Sequence, residues 1–347
     1  MEKQTLRGVN LTGWLMLESW VSPEIFAGTG TFNEKELVKV LGVEEYLKQL
    51  KEHRLTFITK EDFKNIASRG FNAVRIPIPW YVFGQDGPMP GLHEGCLCNL
   101  DDAFDWADEY GLNILLDLTL VPGAKITPDG LQIVLDTKID FRGAALEVVA
   151  RLVDRYKDRK SFWGIEPIGE VHAQKRQGFS LTSGTPLHVL RNFYRDAYDV
   201  VREIAGDRIY VVISDAGLHG SWRMFMAHRK YTNVWLDVHP YRFKDKACLK
   251  GSSGTRLLIY KILDDLKEAK RSGFPVMVGE WSAALPIADA NMTPEGRIAM
   301  ERMYVAGQLE AFEKCQGWFF QTWKTSTGLS SWDARIALSS FERDMLD

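Results

Sequence analysis

The chain alternates between short apolar runs and longer segments with helical periodicity. Eight of the short runs are rich in β-branched, leucine or aromatic residues: LRGVN (6–10), NAVRIP (72–77), NILLDL (113–118), FWGIEP (162–167), IYVVIS (209–214), VWLDVH (234–239), PVMVGE (275–280) and GWFFQTW (317–323). Continuous apolarity is typical of parallel strands that are covered on both faces. We therefore predict eight buried parallel strands.

The segments between these runs predict amphipathic helices. In TKEDFKNIASRG, Thr59 and Asp62 have the spacing of a capping box, and LDDAFDWADEYG ends at Gly111. Strands that alternate with helices favour an α/β fold, the (β/α)8 TIM barrel. A doubly wound sheet is the alternative, but the chain has no G-x-G-x-x-G or G-x-x-x-x-G-K-[ST] phosphate turn.

One domain is the simplest interpretation of residues 1–347, since barrels often use this length as a single unit. The segments at about 18–58 and 83–99 are long, and we predict that both are insertions at the rim of the barrel. No internal repeat and no linker rich in Gly, Ser or Pro indicates a boundary between domains.

Composition narrows the possible partners. A 45% hydrophobic content supports a large core, and a net charge of -3 lacks the positive excess of a nucleic-acid-binding protein. No run approaches 18 uninterrupted apolar residues, so no membrane span is expected. The start MEKQTLRGVN lacks the pattern of a secretory signal, which predicts a cytoplasmic protein. The spacing of the four cysteines predicts no zinc site, and the pattern does not indicate an oligomeric state.

Polar and aromatic residues follow the predicted strands. In a TIM barrel the chemistry lies at the carboxyl ends of the strands, where the βα loops converge. The residues at these ends are Asn10, Trp14, Glu18, Arg75, Asp117, Thr119, Glu166, Glu170, His239, Tyr241, Glu280, Trp281, Trp323 and Lys324. One mouth would thus collect several carboxylates, an arginine, a histidine and tryptophans.

This set of side chains suits the cleavage of glycosidic bonds. That reaction uses one carboxylic acid to protonate the leaving oxygen and one carboxylate on the other side of the sugar. Glu170 and Glu280 follow the fourth and seventh strands and are the hypothetical pair. Glu166 is interpreted as an internal contact of the barrel.

Five segments carry a resemblance to a known family. They are RGVNLTGWLMLESWVSPEIF, TFITKEDFKNIASRGFNAVRIPIPW, WLDVHPYRF, VGEWSAAL and WFFQTWKTS. In this order they resemble glycoside hydrolase family 5, especially its exo-β-1,3-glucanase branch. The likeness extends over nearly the whole chain.

The resemblance implies a retaining mechanism through a covalent glycosyl-enzyme intermediate on an oligosaccharide or glycoside substrate, without metal or other cofactor. It implies Glu280 as nucleophile and Glu170 as acid/base. Arg75 would keep the nucleophile ionised, and His239 and Tyr241 would orient the two carboxylates. The implied sugar contacts are Trp14 and Glu18 at the edge of the pocket and Trp323 at its floor.

Two departures from the family pattern bear on the substrate. Gly169 and Val171 replace the Asn and Pro that flank the acid/base, and Thr119 replaces a His after the third strand. Because the missing Asn would bind the sugar 2-hydroxyl, we expect relaxed choice at that carbon, including 2-deoxy or manno sugars. Gly169 is also expected to widen the pocket, and the loop TLVPGAKITPDGLQIVLDTKIDFRG predicts a different leaving-group subsite.

Three functions remain open at this point. The first is an exo-acting β-glycosidase. The second is a weakened or repurposed hydrolase scaffold that binds carbohydrate without efficient hydrolysis, as the changes at Gly169 and Thr119 suggest. The third is a barrel altered for another reaction, in which Glu170 or Glu280 serves as a base.

Overall fold

Eight parallel strands close into a barrel, which confirms the predicted (β/α)8 fold. The computed structural model describes residues 5–89, 94–127, 130–132, 140–177, 180–245, 251–286 and 293–339. Its strands are β1 Leu6–Asn10, β2 Ala73–Pro79, β3 Asn113–Leu120, β4 Lys125–Thr127, β5 Gly130–Gln132, β6 Phe162–Glu166, β7 Arg176–Gln177, β8 Ser180–Leu181, β9 Tyr210–Ser214, β10 Val234–Val238, β11 Val276–Trp281 and β12 Gly317–Phe320.

The barrel order is β1-β2-β3-β6-β9-β10-β11-β12, and β12 pairs with β1. Each of the eight predicted runs therefore forms a barrel strand. The remaining strands form two antiparallel hairpins, β4-β5 after β3 and β7-β8 after β6. Both hairpins follow strand ends at the mouth, so they belong to the rim on the side of the barrel that carries Glu170.

Helices cover the outside of the barrel. They are α1 Pro23–Phe26, α2 Glu34–Leu41, α3 Val43–Thr56, α4 Lys60–Ser68, α5 Leu97–Tyr110, α6 Phe141–Tyr156, α7 Leu187–Ala205, α8 Gly251–Lys270, α9 Pro294–Phe312 and α10 Ala334–Ala337. The predicted insertion at 18–58 contains α1, α2 and α3. The loop at 83–99 lies partly outside the described residues. None of the described helices combines the length and apolarity that crossing a membrane would require.

Local sequence signals begin and end the helices as expected. The Asp62 carboxylate accepts a hydrogen bond from the Thr59 N–H at 2.9 Å at the start of α4, and Gly111 ends α5 with a φ of 71°. This positive φ costs little at glycine, which has no Cβ. Local chemistry thus determines where these helices start and stop.

Apolar side chains form two layers. The larger layer lies between the strands and the helices, and α7 contributes Leu190, Phe193, Tyr194, Ala197, Tyr198 and Val201 to it. A smaller layer fills the interior near the amino ends of the strands: Leu6, Ala73, Leu115, Val212, Trp235, Met277 and Phe319. At about 1.5–3 kcal/mol per buried large apolar side chain, these layers are the main source of stability. The interior is closed at this end, so polar side chains gather at the other.

Candidate active site

The carboxyl ends of the strands bring Glu280, Arg75 and Glu170 to one mouth. Glu280 is the fifth residue of β11, Arg75 is the third residue of β2, and Glu170 follows β6 by four residues. A carboxylate oxygen of Glu170 lies within 4.8 Å of one of Glu280 and of a ring nitrogen of His239. The pair chosen from the sequence therefore converges in space although 110 residues separate its members in the chain.

Glu280 is buried and held on both oxygens. Arg75 Nη1 donates to Oε1 at 2.9 Å, and the Tyr241 hydroxyl donates to Oε2 at 3.0 Å. His239 Nδ1 lies 3.7 Å from the same Oε2. Donors and positive charge at this distance stabilise the ionised form of a carboxylate. Glu280 is thereby prepared to act as a negatively charged group.

His239 is fixed from behind by Asp237, which sequence reasoning did not single out. Its Nε2 lies 2.9 Å from Asp237 Oδ2, and Asp237 also accepts from the Gly279 N–H. Burial opposes protonation of His239, but the charges of Glu280 and Asp237 outweigh it and raise its pKa to about 10. At neutral pH His239 is an imidazolium that faces Glu280.

Glu170 has a different environment. Its side chain is exposed, and the described residues provide no hydrogen bond or ion pair to it. The negative charge of Glu280, followed by desolvation, raises the pKa of Glu170 to about 7. Because the Glu170 side chain is exposed, desolvation contributes less, and repulsion by the Glu280 charge is the main cause of the raised pKa. A carboxyl group with this pKa can both give and take a proton near neutrality.

Glu18 lies within electrostatic range of the pair, as its predicted place at the edge of the pocket requires. Desolvation, with the charge of Glu170 as the next cause, raises its pKa to about 8. The indole N–H of Trp20 donates to its Oε2 at 2.8 Å. Glu18 is half-buried, and its carboxyl group also has a hydrogen bond with the backbone of Gly13.

An aromatic wall extends from Glu280 to Glu18. We use this name for Tyr241, Phe243, Trp332 and Trp20. The Trp332 ring lies 5.7 Å from that of Tyr241, 5.2 Å from that of Phe243 and 5.4 Å from that of Trp20. Trp332 was missed by sequence reasoning, because it follows β12 by twelve residues and has no strand pattern to place it at the mouth.

Two predicted sugar contacts are buried, and their assignments are wrong. Trp14 is 0% exposed; its indole N–H donates to the Arg54 carbonyl at 2.8 Å and its ring stacks on Trp106. Trp323 is 1% exposed, and its N–H donates to Asp62 Oδ1 at 2.8 Å. Neither ring has a free face for a sugar.

The reason for the second error is that Asp62 attracts both Trp323 and Lys324. Lys324 Nζ donates to both Asp62 oxygens, at 2.8 and 2.9 Å, so the chain after β12 is anchored to α4 on the outside of the barrel. Gln321, two residues earlier, accepts from the Thr12 hydroxyl at 2.8 Å and is the polar side chain at the end of β12. The apolar character of a residue after a strand does not by itself show whether its side chain points into the barrel or towards the outer helices.

Gly169 does not widen the pocket. A Cβ at this position would lie 2.0 Å from Asp117 Oδ1 and 2.8 Å from Arg75 Nη2, so buried polar groups already fill the space. Thr119 donates a hydrogen bond to Asp117 Oδ2. Both positions thus support the Arg75 environment, and their predicted contacts with the sugar stay predictions.

Glu170, His239 and Glu280 are also a geometrically possible set of metal ligands, because one donor atom of each lies within 4.8 Å of the others. Two of the three side chains are already held by other groups, His239 by Asp237 and Glu280 by Arg75 and Tyr241. The arrangement fits two reacting carboxylates better.

The model of the Cellulase (glycosyl hydrolase family 5) family matches residues 39–302, about three quarters of the chain. The chain belongs to glycosyl hydrolase family 5. It is therefore a glycoside hydrolase of the TIM-barrel type, and the resemblance stated from the sequence is confirmed.

Relatives of this family 5 enzyme align with it over most of their length. It is 30% identical to Probable glucan 1,3-beta-glucosidase A of Aspergillus fumigatus over 374 residues, which cover 96% of this chain and 86% of that protein. It is 28% identical to Glucan 1,3-beta-glucosidase 1 of Schizosaccharomyces pombe, with the same two coverages.

Solved structures show the same fold at lower identity. The rutinosidase of Aspergillus niger superposes with a TM-score of 0.77 at 21% identity, covering 99% of this chain and 98% of that chain. Endoglucanase Cel5A of Thermotoga maritima superposes with a TM-score of 0.58 at 16% identity, covering 98% and 95%. The same barrel occurs in a rutinosidase and in an endoglucanase, so the fold alone does not identify the substrate.

Proposed function

We propose that this family 5 enzyme is a retaining, exo-acting β-glucosidase of the β-1,3-glucanase type, with Glu280 as nucleophile and Glu170 as acid/base. The observation that carries the proposal is the approach of the two carboxyl groups to within 4.8 Å in unlike environments. Inverting enzymes keep their carboxyl groups roughly 6.5–9.5 Å apart to admit a water molecule, whereas retaining enzymes hold them at about 5–5.5 Å.

In the first step Glu280 attacks the anomeric carbon while Glu170 donates its proton to the leaving oxygen. The bond to the leaving group breaks as the bond to Glu280 forms, which leaves a neutral glycosyl ester. In the second step Glu170 takes a proton from water, the water oxygen bonds to the anomeric carbon, and Glu280 leaves as a carboxylate.

The pKa of Glu170 is expected to change between the two steps, because it depends on the charge of Glu280. The charge of Glu280 is the main cause of the raised pKa of Glu170, and it is absent in the ester. The pKa of Glu170 therefore falls in the intermediate, so Glu170 is ionised near neutral pH and can take a proton from the attacking water. No additional residue is needed for this change.

Exo action and a glucan substrate are supported by the names of the two fungal relatives and by the aromatic wall. Aromatic faces provide the flat apolar surface on which the C–H face of a pyranose packs. The hairpins β4-β5 and β7-β8 follow the strands on the Glu170 side of the mouth. The loop for which a different leaving-group subsite is predicted lies partly outside the described residues, and that subsite stays a prediction.

The test is turnover of a panel of aryl β-glycosides with gluco, manno, galacto and 2-deoxy-gluco sugars, with Glu280→Ala as the control. Release of glucose with retained anomeric configuration, and stepwise release from one end of β-1,3-gluco-oligosaccharides, supports the proposal. Inverted product refutes the mechanism, and internal cleavage refutes exo action. A markedly slower 2-deoxy sugar, beyond its spontaneous reactivity, refutes the relaxed choice at the 2-position.

A further inference from the structure

Arg75 serves more carboxylates than one positive charge can neutralise. Its Nε and Nη2 both donate to Glu166 Oε2, at 3.2 and 2.9 Å. Nη1 donates to Asn10 Oδ1 at 3.0 Å and to Glu280 Oε1 at 2.9 Å. Nη2 also lies 3.0 Å from Asp117 Oδ2. Arg75 thus makes four hydrogen bonds and one further ion pair, and a guanidinium has only five N–H groups to offer.

Two buried carboxylate oxygens remain without a donor from the described residues. They are Glu166 Oε1 and Asp117 Oδ1. Asp117 and Glu166 are direct neighbours across the β3-β6 pair, and both side chains point to Arg75. A buried ionised oxygen without a hydrogen bond is costly, and two such carboxylates side by side repel each other. A proton bound between them removes both costs.

We infer that Glu166 and Asp117 hold one shared proton at neutral pH, carried mainly by Glu166. Glu166 is then a neutral carboxylic acid whose Oε2 accepts from Arg75 and whose proton is bound at Oε1, the oxygen that has no donor among the described residues. The charge of Arg75 is directed to Asp117 and Glu280 instead of being divided among three anions. Glu166 is thus a positioning residue for the nucleophile.

The charged surroundings of Glu166 support this assignment. Burial raises its pKa well above the ordinary range; Asp237 and Asp117 act in the same direction, and Arg75 and His239 oppose them. Burial also raises the pKa of Asp117, to about 6, against the opposing charge of Arg75 and the hydrogen bond from Thr119. Thr119 donates to Asp117, so Asp117 has a donor for its ionised form that Glu166 lacks, and Glu166 is the better place for the proton. The titratable and charged groups that face Glu166 are Arg75 on β2, Asp117 on β3, Asp237 and His239 from β10, and Tyr194 on α7.

The effect on catalysis rests on the proposed role of Glu280, whereas the proton itself is measurable without substrate. The first measurement is an infrared difference spectrum between wild type and Glu166→Gln at pH 7. We expect the wild type to show a carboxylic-acid C=O band that the variant lacks. If the difference shows only the loss of a carboxylate band, the inference is overturned.

The second measurement is thermal unfolding of both proteins between pH 5 and pH 9. A raised pKa means that the folded state keeps a proton which the unfolded chain has released, so stability falls as pH rises. Glutamine has no such proton. The stability of Glu166→Gln relative to wild type therefore increases with pH, by up to about tenfold in the folding equilibrium constant per pH unit. A constant or decreasing difference contradicts the inference.

The third measurement separates positioning from simple packing. Glu166→Ala removes the acceptor of two Arg75 hydrogen bonds and should lower kcat by roughly a hundredfold. Glutamine keeps an acceptor for Arg75 and a donor for Asp117, so Glu166→Gln should recover most of that loss. If glutamine is no better than alanine, the charge of Glu166 is required and the shared proton is refuted.

Discussion

Glu170 and Glu280, the proposed catalytic pair, lie close together, but the protein around them differs. Glu280 is buried, accepts hydrogen bonds on both oxygens and faces an arginine and an imidazolium. Glu170 is exposed and lies between Gly169 and Val171, with no partner among the described residues. The surroundings of Glu280 stabilise a negative charge, whereas those of Glu170 allow it to gain and lose a proton near neutral pH.

This difference teaches how one barrel obtains two functions from the same side chain. Glu280, the proposed nucleophile, comes from strand β11, which pairs with both of its neighbours. Glu170, the proposed acid/base, comes from the loop that follows β6, and the charge of Glu280 is the main cause of its raised pKa. The predictions below test this contrast.

The largest effect is expected for Glu280→Gln. Removing the nucleophile should lower kcat/KM by about 10⁴-fold or more, as happens when other enzymes lose a nucleophile. The matched control is Glu313→Gln, because Glu313 pairs with Arg7 near the amino ends of the strands. The two rates are measured with an aryl β-glucoside and each fold is checked by circular dichroism. Equal effects of the two substitutions would contradict the assignment.

Glu170→Gln should cost roughly 10²–10⁴-fold with an oligosaccharide, because the leaving alcohol then departs without a proton. The loss in the first step should be much smaller with an acidic phenol as the leaving group, since that group needs little protonation. Single-turnover rates with a series of phenols measure this dependence. A loss that does not vary with the leaving group would exclude Glu170 as the acid.

The dependence of kcat/KM on pH should show the titration of Glu170. Glu170 must be protonated for the first step and its pKa is raised to about 7, so kcat/KM should fall about tenfold per pH unit above that value. Glu18, with a pKa raised to about 8, could produce a similar limb. The limb should persist in Glu18→Gln and disappear in Glu170→Gln; the reverse result would assign it to Glu18.

The smallest effect is expected at the aromatic wall. Trp332→Ala should raise KM by about tenfold with little change in kcat, because a lost aromatic contact is worth about 0.5–1.5 kcal/mol. Trp163 is the control, since it is half-buried and stacks on Tyr210 near the amino ends of the strands. Trp163→Ala should lower the thermal unfolding midpoint and leave KM unchanged. Similar KM values for both variants would show that the aromatic wall does not contact the substrate.

Sequence patterns predicted the barrel because its signals are local and repeated. All eight apolar runs became barrel strands, since a strand covered on both faces must be apolar along its whole length. The convergence of Glu170, Glu280, Arg75, His239 and Tyr241 followed from one rule, that parallel strands end at the same mouth. The helix boundaries at Thr59 and Gly111 were equally local.

The errors concern the direction of side chains beyond a strand end. The sequence alone determined the fold, the family and which charged groups meet at the mouth, because strand pattern and strand order are written in consecutive residues. Only the tertiary structure decided that Trp14 and Trp323 pack against the outer helices, that Trp332 joins the wall and that Asp117 occupies the space beside Gly169. These placements depend on hydrogen bonds between distant residues, such as Asp62 with Trp323, and no consecutive pattern records them.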